Sequence, residues 1–531
     1  MMKLFLAAVA LAVTPSILLA QSLEPDMVII GGKVATMDAA RPTAEAIAIR
    51  GGRILQVGSN QTIRKLAGTN TQVIKLDGQF VMPGFIEGHA HFYGLGQSKM
   101  MLDLSTVKTW DEVVDQVAEA AKTTPAGEWI EGRGWHQSKW EKKPEPNVEG
   151  YPTDKRLSEV SKSHPVLLTH ASGHMLFANA YAMREAGVTA ETKPPEGGEI
   201  LHDAAGNPTG VFRETAAALI GRVKARAESK RTEKEAYDYS LRAIELAAKE
   251  CLENGITSFQ DAGSSFATVD ILKQAADDDR LPIRLWVMIR DNNQRLEALL
   301  PRYKMIGHAN DFLTVRAVKR SIDGALGPHG AWLLAPYSDL PKSIGLNTAT
   351  LESVTKTAEL AIKNDFQVCV HAIGDRANRE VLNIYETLFE KYSSVIPRRW
   401  RIEHAQHLDP ADIPRFAKLG VIASMQGVHC TSDAVFVPKR LGMKRSKEGA
   451  YVWKSLIESG AVVTNGTDAP VEKVDPIASF YASVTRKLAD GITFFPEQCM
   501  TREQALRSYT CLLYTSPSPR DQRGSRMPSS A

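Results

Sequence analysis

Residues 84–92 read GFIEGHAHF, an apolar run that closes on two histidines one residue apart. Side chains at i and i+2 of a strand share a face, roughly 6.6 Å apart at about 3.3 Å per residue, so His89 and His91 can converge on one ion. Neutral imidazole nitrogens are good ligands for zinc and similar metals. A His-X-His pair also arises without a metal, so the reading depends on whether other runs end in the same way.

Seven further apolar runs follow: ITSFQDAG (256–263), IRLWVMIR (283–290), LTVRAVKRSIDG (313–324), QVCVHAIGD (367–375), RIEHAQHL (401–408), VIASMQG (421–427) and VVTNGTDAP (462–470). Helix-length amphipathic stretches such as ATLESVTKTAELAIKN (349–364) separate them from the second run onward. Eight such units predict an α/β fold, a (β/α)8 barrel, with residues from about 95 to 250 as an insertion after the first strand. The insertion has its own apolar run, HPVLLTH (164–170), and turn-rich loops such as TKPPEGGE (192–199). Before the barrel, MVIIGGKVAT, AIAIRGGRILQVG and TQVIKLDGQFVM predict a small antiparallel β domain over residues 21–82, and the barrel is expected to run from 83 to 510.

Active sites of such barrels lie at the C-terminal ends of the strands. Six metal-compatible groups fall there: His89 and His91 on strand one, Lys319 on strand four, His371 on strand five, His404 on strand six and Asp468 on strand eight. Lys319 shares its strand face with Leu313, Val315 and Ala317. On a buried face an ammonium tends to lose its proton, and a neutral lysine amine can take up carbon dioxide as a carbamate, an oxygen ligand able to bridge two ions. The alternative is a lysine that snorkels or pairs with Asp323. Asp468 is placed both to bind a divalent metal and to take a proton from activated water, or else to cap the next helix.

The whole-chain features exclude several function classes. The 531 residues carry a formal charge of only +3 and no run of like charge, which speaks against a nucleic-acid or acidic-membrane partner. Residues 1–20, within MMKLFLAAVALAVTPSILLAQS, fit a cleaved secretory signal, which predicts a periplasmic or secreted protein, no membrane contact after cleavage, and a small-molecule substrate; a retained anchor is the alternative. The five cysteines are scattered and match neither a disulfide framework nor a paired metal motif.

The motifs PGFIEGHAH, GHMLFAN, AVKRSIDGALG, HAIGD, RIEHAQ, SMQGVH and TDAPV, in that order, resemble the amidohydrolase superfamily and within it amidohydrolase family 3, the branch of the N-substituted formamide deformylases. The resemblance spans about residues 27–510. It implies metal binding by His89, His91, His371, His404 and Asp468, with Lys319 as a carbamate and one or two ions, zinc first among the candidates. It also implies that His174 and its neighbours in the insertion face the substrate, His174 with a catalytic part. Trp135, His136 and Asp323 are counted with the substrate-facing residues; for Trp135 and His136 the alternative is packing inside the insertion. Three positions depart from the family pattern: Gly427 stands where proline is usual, Arg320 where an apolar residue is usual, and His136 where an aspartate is common.

The expected function is hydrolysis of carbon–nitrogen bonds other than peptide bonds, in amide, formamide or N-acyl substrates, by metal-activated water. The same groups would serve an esterase, lactonase or phosphoesterase, and a non-catalytic binding protein on the same scaffold would be expected to lack ligands. Residues 511–531, CLLYTSPSPRDQRGSRMPSSA, interrupt the helical pattern of TREQALRSYT and lack apolar periodicity, which predicts a non-native tail, and hence a β domain over 21–82 that lacks strands its relatives supply from their C-terminus. A natural disordered tail is the alternative reading.

Overall fold

The computed structural model describes residues 24–392 and 399–513, so the expected signal segment and nearly all of the expected tail lie outside the described residues. Contacts divide the chain into a unit ending at Pro83 and a second that starts at Gly84.

The second unit is a (β/α)8 TIM barrel. All eight predicted runs form its strands: β1 (Phe85–Ala90), β2 (Ile256–Ser264), β3 (Arg284–Ile289), β4 (Leu313–Ser321), β5 (Gln367–Ala372), β6 (Arg401–His404), β7 (Ile422–Gln426) and β8 (Val463–Gly466). They pair in sequence order and in parallel. Every residue of β5, β6, β7 and β8 is buried, as expected for strands covered on both faces, which is why they read as unbroken apolar runs.

Closure between β8 and β1 uses main chain from beyond the strands. At the mouth, Asp468 N–H donates to His89 O and His91 N–H to Ala469 O, both 2.7 Å. Lower down, Ile86 N–H donates to Tyr509 O at 2.9 Å, and Tyr509 OH to Gly466 O at 2.9 Å. The two strands approach so closely at Gly88 that an added Cβ would lie 2.2 Å from Asn465 O and 2.7 Å from Leu513 Cδ2.

This contact moves the boundary expected for the tail. Cys511–Leu513 form a turn of 3₁₀ helix, Leu513 is buried in the space that Gly88 leaves, and its carbonyl accepts from Gln260 Nε2 at 2.7 Å. Residues 511–513 are therefore part of the barrel.

The insertion contains a six-stranded mixed sheet, in the order 198–202, 208–214, 175–178, 166–170, 130–135 and 102–103. One of its cores gathers Trp110, Trp135, Trp140, Val166 and Phe177. Helix Glu233–Glu253, begun by a Thr232/Glu235 capping box, returns the chain to β2.

The N-terminal unit is mixed, contrary to the antiparallel expectation. Met27–Ile30 pairs antiparallel with Ala46–Arg50 but parallel with Gln72–Lys75, because strand Arg53–Gly58 and helix Asn60–Arg64 supply the crossover that a parallel pair requires. Its core is Val28, Ile30, Ala46, Ala48 and Ile63.

Because Leu513 is buried against Gly88, Leu513→Ala is expected to cost about 2–4 kcal/mol. Chemical denaturation should show this loss in the midpoint; an unchanged midpoint would mean that Leu513 does not support closure.

Candidate active site

β1, β5, β6 and β8 bring four histidines and an aspartate to the barrel mouth. His89 Nε2 and His91 Nε2 lie 3.5 and 3.3 Å from Asp468 Oδ1. The imidazoles adjoin one another, with ring centroids 4.6 Å apart for His89 and His404, 4.5 Å for His404 and His371, and 5.1 Å for His371 and His174. His404 and Asp468 hold φ values of +74° and +58°, left-handed backbone that is uncommon for residues other than glycine.

The hydrogen bonds beneath settle which nitrogens face the mouth. His89 Nδ1 bonds Glu403 Oε2, and His404 Nδ1 donates to Gln426 Oε1 at 2.8 Å, which leaves both Nε2 atoms free. Glu403 is in turn bound by Arg401 through Nε (2.6 Å) and Nη2 (2.8 Å). Burial works against charge on Glu403, yet Arg401 and His89 hold its carboxyl far below the usual range. Asp468 is likewise kept well below the usual carboxylate range against the effect of burial, by the imidazoles of His89 and His91 beside it. Glu87 is pushed up to about 7 by burial; it accepts from Thr467 N–H (2.8 Å) and Oγ1 (2.9 Å), next to Asp468 in the chain.

Whether this donor set fits a metal can be judged from what it leaves unpaired. Among the buried polar atoms without a hydrogen-bond partner are His89 Nε2, His371 Nε2, His429 Nε2 and Asp468 Oδ1. Leaving such atoms buried and unpaired costs about 1–3 kcal/mol each, a penalty a bound cation would remove. Ligand atoms of His89, His91 and Asp468 lie within 4.8 Å of one another, and so do those of His404, His429 and Asp468. The set fits a divalent ion.

Lys319 is buried at the same mouth, with Nζ 3.4 Å from Ala262 O rather than on Asp323. Burial, aided by the nearby charge of Arg290, lowers its pKa to about 8. A cavity of about 720 Å3 opens above these groups, lined among others by His91, Arg133, His174, Glu214, Arg290, Lys319, His371, His404 and Asp468. His174 enters it from the insertion, its Nδ1 2.8 Å from Glu214 Oε2.

One expected substrate-facing residue does otherwise. Trp135 is fully buried, stacks on Trp140 and donates Nε1–H to Leu168 O at 3.0 Å, so it packs the insertion core instead of lining the cavity. Asp323 borders the cavity, but its carboxylate is taken up by the main chain: it accepts Trp332, Ile373 and Gly374 N–H at 2.9, 3.0 and 2.8 Å and lies 3.5 Å from His371 Nε2, which makes it a positioning residue. Burial pushes its carboxyl up to about 7. His136 does reach a side pocket of about 70 Å3 shared with His174, His371 and Asp468, where burial lowers its pKa to about 3 and it stacks on Phe436.

The other departures also have structural counterparts. Gly427 N–H donates to Asn465 Oδ1 at 2.8 Å, a bond proline could not make. Arg320 is directed away from the ligands, to Asp291 O and Ser353 Oγ. Sequence reasoning missed Arg401, Glu403 and His429, although Arg401 and Glu403 share one face of a strand that is otherwise core.

Glu403→Gln should loosen the hold on the His89 ring and weaken metal binding about 10- to 100-fold. Competition with a chromophoric chelator measures this, and wild-type affinity in the variant would deny Glu403 its positioning role.

The chain matches the Amidohydrolase family over residues 72–512. It is 32% identical over 473 residues to Protein LONG AFTER FAR-RED 3 of Arabidopsis thaliana, covering 87% of this chain and 78% of that one. It is 27% identical over 492 residues to the N-substituted formamide deformylase of Arthrobacter pascens, covering 91% and 88%. Among solved structures, an uncharacterized metal-dependent hydrolase from Pyrococcus furiosus superimposes with a TM-score of 0.69 at 26% identity, over 92% of this chain and 93% of that one. The chain belongs to the amidohydrolase family and is a metal-dependent hydrolase.

Proposed function

We propose that this hydrolase cleaves carbon–nitrogen bonds other than peptide bonds in small amide, formamide or N-acyl substrates. The observation that carries the reading is the set of unpartnered ligand atoms at the mouth, His89 Nε2, His371 Nε2 and Asp468 Oδ1, beside the free carboxylate of an aspartate able to move a proton. His89, His91 and Asp468 would hold a divalent ion, zinc by the chemistry of the donors, and His371, His404 and the Lys319 carbamate a second. Such an ion supplies Lewis-acid chemistry, polarising a carbonyl and lowering the pKa of water toward about 7.

The side chains then divide the work. Asp468, ionised at neutral pH, takes the proton from the attacking water and returns it to the leaving nitrogen, base in the first step and acid in the second. Glu403 and Gln426 keep His89 and His404 in the tautomer whose Nε2 is free. His174, braced by Glu214, stands over His371 where it can donate to a carbonyl oxygen. The choice of a carbon–nitrogen bond over an ester is supported by the relative named N-substituted formamide deformylase. A periplasmic or secreted location is supported by an N-terminal sequence that fits a cleaved secretory signal, and no helix among the described residues is long and apolar enough to cross a membrane.

Exhaustive chelation is expected to abolish hydrolysis of N-acyl and formamide substrates, and zinc or manganese to restore it. Turnover that persists at undetectable metal by elemental analysis would refute the mechanism.

Asp468→Asn keeps an oxygen but loses the base, so kcat should fall by about 10²–10⁴ while metal content changes far less. A variant with wild-type kcat would remove Asp468 from proton transfer.

A further inference from the structure

The charges around the 720 Å3 cavity do not balance locally. Apart from Lys319 and Asp468, its wall holds Arg133, Lys224, Arg290 and Arg320 against Glu131, Glu214 and Asp323. Lys224 pairs with Glu131 at 3.2 Å and His174 with Glu214 at 2.8 Å, while Asp323 is occupied by three main-chain N–H groups. Arg133 donates Nε and Nη2 to the carbonyls of Pro470 and Ala171, both at 3.2 Å. Arg320 donates to Asp291 O and Ser353 Oγ at 3.1 and 2.8 Å.

Arg290 is the exception. Of its five N–H donors, one reaches a protein side chain, Nη2 to Ser321 Oγ at 3.3 Å, and no carboxylate among the described residues lies within ion-pair distance. The residue is exposed, and the surface it exposes forms part of the cavity. Its location is nonetheless fixed. It directly follows β3, its own N–H donates to Ser264 O at 2.8 Å, and its stem lies over Gly263, where an added Cβ would come within 3.0 Å of Arg290 Cβ and Cδ. A guanidinium with a held stem and free donors, which feels the charges of both Arg320 and Glu214 but pairs with neither, presents a fork that suits a planar anion.

We infer that Arg290, with Ser321 Oγ beside it, binds a carboxylate of the substrate, so that the enzyme prefers small amides carrying a carboxylate over their neutral counterparts. The inference rests on the carbon–nitrogen reading for the bond cleaved but not for the anion site itself. Two charge-assisted hydrogen bonds in a partly enclosed cavity predict a preference of about tenfold to hundredfold.

The test compares N-formylphenylalanine with N-formylphenylalaninamide on the metal-loaded enzyme, by calorimetric titration and by kcat/KM. The carboxylate should bind at least tenfold more tightly. In Arg290→Met the preference should vanish, the carboxylate compound losing at least tenfold more than the neutral one in binding and KM, and Arg290→Lys, which keeps the charge, should retain part of it. Equal binding of the two compounds by wild type, or an undiminished preference in Arg290→Met, overturns the proposal. A preference that depends on Arg290 in an enzyme that cleaves neither compound nor any other amide upholds the anion site and fails only the carbon–nitrogen reading.

Discussion

One guanidinium under the active site ties the barrel together. Arg401 is buried, and besides gripping Glu403 it donates to Gly88 O and Ser424 Oγ, both at 2.6 Å, and to Gln260 Oε1. It thereby joins β6 to β1, β7 and β2 across the interior. A charge so placed is tolerated only because every contact is met, and removing one partner of such a pair typically costs about 3–5 kcal/mol. The same contact keeps Glu403 ionised, Glu403 holds the His89 proton on Nδ1, and the free Nε2 follows. The arrangement of the mouth therefore depends on a salt bridge neither of whose members is itself a metal ligand.

Much of this was legible in the amino-acid sequence because parallel strands covered on both faces become continuous apolar runs, and polar residues that end such runs stand out. His89, His91, His371, His404 and Asp468 are all of that kind, and the structure brings them to one mouth. Arg401 and Glu403 were overlooked because attention to run endings passes over charged residues inside a run; their shared parity was the available signal. The insertion was harder to read. Its strands include pairs as short as residues 102–103, and its sheet mixes directions, so neither period nor run length marks it well.

Trp135 shows how local geometry defeats a motif. Arg133 and Trp135 would share a face in a regular strand, but Gly134 has φ of +106° and the register shifts between them. The ladder breaks there, so Arg133 reaches the cavity while Trp135 enters the core of the insertion. Leu513 was hidden for a different reason: its burial depends on the side chain that Gly88 lacks, a relation between residues 425 positions apart by their numbers.

The cavity has two builders. Strand ends of the barrel carry the ligand atoms, while the insertion contributes His174, Glu214 and Arg133 to the wall facing them. The lobe can therefore be remodelled by mutation without moving a single metal-binding group of the barrel. A lineage built this way can change its diet while keeping its cutlery.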